Sequence, residues 1–261
     1  MKIEFLTQED SLYILPFFEE FLGNYAGQFE ITRISCCRAM GKRSRWQLLR
    51  ELMWLYGTLG LMKLVAQAGI AKVLAGLPRS RSAKKFYSIA QLARAYGIPY
   101  EGVANPNDTG FVAAMKGRSP DLLVSVACPY ILKEKVLGVP PRGCINIHHA
   151  PLPRYKGMMP TFWQLYHGEA QLGVTIHYMA AKVDEGDALL QEMSAVKAGE
   201  TLHNLIRQSK RYGAHCMAKV LHNLQNNQAV PLKLDHQQGT YFTFPTREEA
   251  LEFRRRGLRV I

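Results

Sequence analysis

The densest set of chemically capable side chains is Gly143-Cys-Ile-Asn146-Ile-His148-His149, followed by the stiff stretch Ala-Pro151-Leu-Pro153-Arg-Tyr-Lys-Gly157. Asn146 and His148 stand two positions apart in an apolar run. On a strand that spacing puts both side chains on one face. An amide gives a neutral hydrogen-bond donor to a developing oxyanion, and an imidazole donates or relays a proton. A second polar group, Lys182-Val-Asp184-Glu185-Gly186-Asp187, follows the next apolar run. A carboxylate facing His148 would favour the imidazolium. Spacing alone does not separate Asp184, Glu185 and Asp187. There is no GxGxxG after the first apolar run and no GxxxxGK[ST], which argues against dinucleotide and P-loop chemistry. His148, His149, His177 and the nearby acids lack zincin spacing, so no metal is expected.

Such groups work only if a rigid scaffold brings them together. Residues 3–7, 29–35, 121–127, 144–148 and 174–179 read as strands. A helix follows a cap at Asp10 or Ser11, with Leu12, Leu15, Phe18 and Leu22 on one side; residues 89–96 and 201–224 read as further helices. Residues 105–110 form a loop by composition. The alternation predicts an α/β fold: an open, mostly parallel, twisted Rossmann-like sheet with helices on both faces. The Asn146–His148 loop would then lie past a strand's carboxyl end, where such sheets place ligands.

Residues 42–86 interrupt the alternation. Leu48, Leu49, Leu52, Met53 and Tyr56 share a helical face, Gly57-Thr58-Leu59-Gly60 can turn the chain, and residues 61–77 are apolar apart from Lys63, Gln67 and Lys72. The longest charge-free run is far short of the roughly 18 residues a spanning helix needs. An amphipathic helical hairpin packed on the domain is expected, dispensable for the chemistry, with a peripheral membrane or partner contact as the sharper reading. Near the C-terminus, residues 240–247 carry aromatics at alternate positions, which predicts a strand that joins the sheet or folds over the cleft.

The chain has 261 residues, 48% of them apolar, which excludes a disordered protein. With 33 Lys plus Arg against 21 Asp plus Glu, its formal net charge is +12. That charge suits nucleic acid, an anionic membrane or a phosphorylated small molecule. Five cysteines with no CxxC argue against a disulfide framework and point to a reducing cytoplasm. The first residues carry an early acid and no long apolar run, so no signal peptide is expected.

Asn146-Ile-His148-His-Ala150-Pro151-Leu152-Pro153-Arg-Tyr155-Lys-Gly157 resembles the N-x-H-x-S-L-L-P-x-(Y/F)-x-G hallmark of the folate-dependent formyltransferases, with Ala150-Pro151 in place of Ser-Leu. That family includes glycinamide ribonucleotide and methionyl-tRNA formyltransferases, amino-sugar N-formyltransferases and formyltetrahydrofolate hydrolases. Asp184-Glu-Gly186 matches its D-x-G turn. The resemblance implies a catalytic domain over residues 1–200, carrying the helical insertion at about 42–86, and a C-terminal helix and strand-like tail over 201–261. It implies N10-formyltetrahydrofolate as formyl donor, with Asn146, His148 and Asp184 as catalytic residues. Ala127, Cys128, Pro129, Tyr130, Ile131 and Leu132 would line one side of the pterin slot; Ala180, Ala181, Lys182 and Val183 would close the other. The acceptor would be a primary amine. The acidic Thr7-Gln8-Glu9-Asp10 disfavours the phosphate of glycinamide ribonucleotide, and about 37 residues after position 224 leave little for a tRNA-binding domain. A small amine, such as a nucleotide-linked amino sugar, is the expected acceptor, with nucleic acid a minor reading and His177 a neighbour of the site.

Overall fold

The computed structural model describes residues 1–38, 44–197 and 199–261, and the side chain of Arg45 is also outside the description. Lys42 and Arg43, which open the expected insertion, therefore lie outside the described residues. In chain order the elements are β1 (Lys2–Gln8), α1 (Leu15–Tyr25), β2 (Glu30–Cys37), α2 (Arg45–Leu74), α3 (Ile89–Ala95), β3 (Tyr100–Val103), α4 (Thr109–Arg118), β4 (Leu122–Val126) and α5 (Glu134–Leu137). They continue with β5 (Cys144–His148), β6 (Lys156–Gly157), α6 (Pro160–Tyr166), β7 (Gln171–Tyr178), β8 (Ala188–Ala195), α7 (Leu202–Gln225), β9 (Tyr241–Phe242) and α8 (Arg247–Arg255).

Seven strands form one sheet in the order β3-β2-β1-β4-β5-β7-β8. The first five are mutually parallel, and β7 and β8 run antiparallel at the edge. Strand alternation sends Ile3 and Phe5 of β1 into a core shared with α1, α3 and α7, while Leu6 joins Val112, Met115 and Val136 of α4 and α5 on the other face. Helices thus cover both faces, as the alternating pattern predicts. Asp10 does not cap α1 directly. Its carboxylate holds a separate turn through the amides of Leu12 and Tyr13, and the helix starts at Leu15, next to Pro16 in its first turn. The tail pairs β9 with β6 in a separate two-stranded ribbon, so the aromatic segment folds over the loop after β5.

α2 is two helical segments that meet at Gly57, which interrupts them at non-helical φ 67°, ψ 174°. Only glycine adopts that left-handed φ without penalty, and the break falls in the Gly57–Gly60 stretch expected to turn the chain. Leu55, Tyr56 and Leu64 sit in a second core with Phe162, Trp163 and Phe253. The helix is thus built into the domain.

Glu4 on β1 has a side chain with no exposure and is gripped by Arg118 at 2.7 and 3.0 Å, with Ser35 adding a hydrogen bond at 3.0 Å. Removing one partner of such a pair leaves a charge buried without compensation. Arg118→Ala is expected to destabilise the fold by about 3 kcal/mol or more, read by denaturant unfolding. A loss within ~0.5 kcal/mol, typical of surface positions, would show that Glu4 is neutralised by other means.

Candidate active site

Ile145 and Ile147 of β5 enter the sheet core, so alternation leaves Asn146 and His148 together on the opposite face. β7 runs beside β5 and pairs Asn146 with His177 and His148 with Thr175. The Asn146 side-chain nitrogen lies 3.3 Å from His177 Nε2. His177 Nδ1 lies 2.8 Å from the Tyr178 carbonyl. A carbonyl only accepts, so Nδ1 carries the hydrogen, and in the neutral ring Nε2 accepts from Asn146. Burial pushes the His177 imidazole down to about 4, although Asp184 pulls the other way. The ring is thus neutral near pH 7, as this pattern requires. Its lone pair fixes which end of the Asn146 amide faces it, and one N–H of that amide is left for a ligand.

His148 is oriented by backbone. Its Nε2 donates to the Tyr155 carbonyl at 2.8 Å. Its Nδ1 therefore faces Asp184 Oδ2, 3.6 Å away, just beyond direct hydrogen-bond reach. Asp184 Oδ1 is 3.6 Å from His177 Nε2, and the Gly157 amide donates to Oδ2 at 3.1 Å. The Asp184 side chain is only 9% exposed. The expected trio thus converges, with His177 as a fourth member.

The loops that hold the site are locally strained. Ala127, Tyr155, Met159 and Asp184 all adopt positive φ, between 52° and 61°. Non-glycine residues keep such angles only where their surroundings enforce them, and they gather at functional sites. Gly157 has φ 92°, and a Cβ there would collide with the Phe242 carbonyl of β9. At Gly186 a Cβ would strike the carbonyl of Tyr178. The turn that carries Asp184 closes on the end of β7 only because that position has no side chain.

The three candidate acids separate once the turn is seen. Glu185 takes the Lys156 ammonium at 2.9 Å, and this ion pair holds its carboxyl below the usual range. Asp187 supplies its backbone carbonyl to the Tyr178 amide. Asp184 alone of the three meets the imidazoles. The doubled histidine is not a doubled site: His149 turns inward, bonds Ser209 Oγ at 2.8 Å, and burial pushes its imidazole well below the ordinary value.

Of the expected slot residues, Ala127, Cys128, Pro129 and Tyr130 follow β4 at the same edge of the sheet, with Tyr130 anchored to the Ala104 carbonyl at 2.6 Å. The Asn107 side chain takes the Ile131 carbonyl at 3.0 Å and the Lys133 amide at 2.8 Å, so those two backbone groups are already engaged. Ile131 faces outward, and Leu132 is buried among β1, α4 and α5 residues. Ala180, Ala181, Lys182 and Val183 are all exposed before the Asp184 turn. The Tyr155 carbonyl, the Gly157 amide and Lys156 were not legible as site members; Gly157 is the only trace they leave in the sequence.

The formyl transferase family matches residues 71–221 of this chain. The methionyl-tRNA formyltransferase of Syntrophus aciditrophicus is 36% identical over 159 residues, covering 61% of this chain and 51% of that protein. The methionyl-tRNA formyltransferase of Lachnospira eligens is 32% identical over 187 residues, covering 70% and 59%. The chain spans about half the length of the curated relatives it matches. Among solved structures, glycinamide ribonucleotide transformylase 1 of Symbiobacterium toebii has a TM-score of 0.60 at 18% identity, covering 90% of this chain and 94% of that one. A sugar 3N-formyl transferase solved in the presence of dTDP and 5-N-formyl-THF has a TM-score of 0.58 at 17% identity, covering 100% and 82%. These likenesses share the fold, and the family match spans the segment that carries Asn146, His148 and Asp184. The chain belongs to the formyl transferase family.

Proposed function

We propose that this protein moves a formyl group from N10-formyltetrahydrofolate to the primary amine of a small molecule, such as a nucleotide-linked amino sugar. The observation that carries the reading is the convergence of an amide N–H, an imidazole and a buried carboxylate on one spot at the rim of the sheet. The amine attacks the formyl carbon, and the carbonyl oxygen becomes an oxyanion. The remaining N–H of Asn146 donates to it. His148, with Nε2 committed to Tyr155, works through Nδ1: protonated, it faces the oxyanion and Asp184 together. Asp184 stabilises that imidazolium and accepts the proton released as the amine loses its charge. Breakdown of the intermediate returns a proton to the folate nitrogen, the leaving group. The pterin would sit between Ala127–Tyr130 and the 180–183 segment.

The loop after β1 supports an acceptor other than a phosphoribosyl amine. Its amides at Leu12 and Tyr13 are already capped by Asp10 at 2.8 and 2.9 Å, and burial holds that carboxyl above its usual range. A loop closed on its own carboxylate offers no nest to an anion. The names of the sequence relatives favour a second reading, an aminoacyl-tRNA acceptor. Tetrahydrofolate release measured with amino sugars, aminoacyl-tRNA and water as competing acceptors separates the two readings and a hydrolase. No release with any of them would end the proposal.

Asn146→Ala is expected to slow formyl transfer about 100-fold, the usual effect of losing one oxyanion donor, while folate binding measured by calorimetry is kept. Equal turnover in the variant would remove the amide from the mechanism. His177 acts as a positioning residue. His177→Leu is expected to lower kcat about tenfold with KM little changed, because the Asn146 amide loses its orientation. His177→Gln, whose carbonyl can accept the same N–H, should recover part of that loss. Equal loss in both variants would mean that His177 only packs.

A further inference from the structure

The second half of α2 is apolar on two opposite sides. Leu64 and Ala71 lie buried against the domain, whereas Leu59, Met62, Ile70 and Val73 are 83%, 63%, 58% and 76% exposed. At helical periodicity those four form one stripe directed away from the protein. Before the break at Gly57, Trp46 is also 81% exposed. A helix on a soluble surface turns polar residues outward, and a continuous apolar stripe marks a contact surface.

Charge identifies what covers it. Residues 52–100 contain seven Lys or Arg and no Asp or Glu. Residues 31–100 hold 13 cationic side chains against one carboxylate, Glu51, while the rest of the chain holds 20 of each, so this segment carries the whole net charge of +12. Lys63 and Lys72 are exposed on the helix, and Arg81, Lys84 and Lys85 are exposed just after it. Lys63 and Leu59 also line, with Arg254 and Arg259, a groove of about 460 Å³ beside the stripe. An apolar stripe flanked by cations complements a lipid surface with anionic headgroups: the acyl region takes the stripe and the headgroups take the cations. A second copy of the chain would instead bring like charges together.

Attachment to the domain sets the orientation. By length and composition Trp46–Leu74 could cross a membrane. Its backbone is tied down, however. Arg254 donates to the carbonyls of Trp54 and Leu55 at 2.9 and 2.8 Å, and the Tyr56 hydroxyl bonds that of Tyr13 at 2.7 Å. Beyond the helix end, Gln91 donates to the carbonyls of Leu74 and Leu77 at 3.0 and 2.6 Å. A helix held at its middle and its end along the protein cannot thread a bilayer. We propose that α2 is an interfacial anchor that lies in the plane of an anionic membrane surface, with the Leu59–Met62–Ile70–Val73 stripe in the headgroup–acyl boundary.

Flotation of the full chain with vesicles tests this. The protein is expected to float with phosphatidylcholine vesicles that contain phosphatidylglycerol, to float weakly with phosphatidylcholine alone, and to be partly released by salt. Leu59→Ser/Met62→Ser/Val73→Ser should weaken flotation at least about tenfold with circular dichroism and melting temperature unchanged, since the side chains replaced are exposed. If that variant does not fold, Lys84→Glu/Lys85→Glu provides the same reading through charge, and the loss of brominated-lipid quenching of tryptophan emission on Trp46→Phe reads insertion at that position. The inference is overturned if the unaltered chain fails to float on anionic vesicles, if both variants float as well as it does, or if sedimentation equilibrium shows a dimer that the serine variant abolishes.

Discussion

A carboxylate that is nearly sealed from water must be compensated by its neighbours or it will take up a proton. Asp184 meets this constraint at Oδ2, where the Gly157 amide donates and His148 Nδ1 faces it, whereas the neutral His177 ring turns only a lone pair toward Oδ1. The rest of the site follows from it. Gly186 must lack a side chain for the turn to close, and Gly157 must sit at positive φ to aim its amide. His148 is turned by the Tyr155 carbonyl so that Nδ1 is the nitrogen that meets the charge. His177 stays neutral because its own hydrogen goes to Tyr178 and its burial outweighs the pull of Asp184. That neutral ring then decides the orientation of Asn146. The Tyr178 carbonyl thus acts through the His177 ring to orient an amide that could otherwise lie either way round, against the pull of Asp184.

Much of this was legible in the sequence because it rests on period two and on loop chemistry. β5 runs over Cys144–His148, as the apolar alternation implies, and α7 begins after its cap at Thr201. Asn146 and His148 share a face for that reason alone. The assignment to Asp184 came from the D-x-G resemblance, not from physics, since Glu185 and Asp187 are as close in sequence; only the folded turn shows that Lys156 claims Glu185. Backbone groups such as the Tyr155 carbonyl carry no side-chain signal. The break in α2 was legible in its glycines: of the two in residues 57–60, Gly57 takes the left-handed φ that separates the two helical segments. Alternating aromatics announce the strand at β9, but its partner β6 is two residues long and has no periodicity of its own to reveal the pairing.

The helix and the catalytic loop are parts of one packing unit. Leu55, Tyr56 and Leu64 of α2 share their core with Ala150 and Tyr155, the residues that follow His148 and His149. Tyr56 also reaches Tyr13 in the loop after β1, which in turn contacts His203 of α7. The segment that carries the chain's excess charge is therefore seated against the walls of the site. Its outer surface is open to a partner while its inner surface supports the loop that orients His148.

The geometry of a bound formyl group tests the central claim most directly. In a crystal structure with 5-formyltetrahydrofolate, the formyl oxygen should lie within ~3 Å of the Asn146 side-chain nitrogen, on the side of His148 that faces Asp184, with the pterin beside residues 127–130. A formyl group directed away from both Asn146 and His148, or a folate bound at another edge of the sheet, would contradict the account.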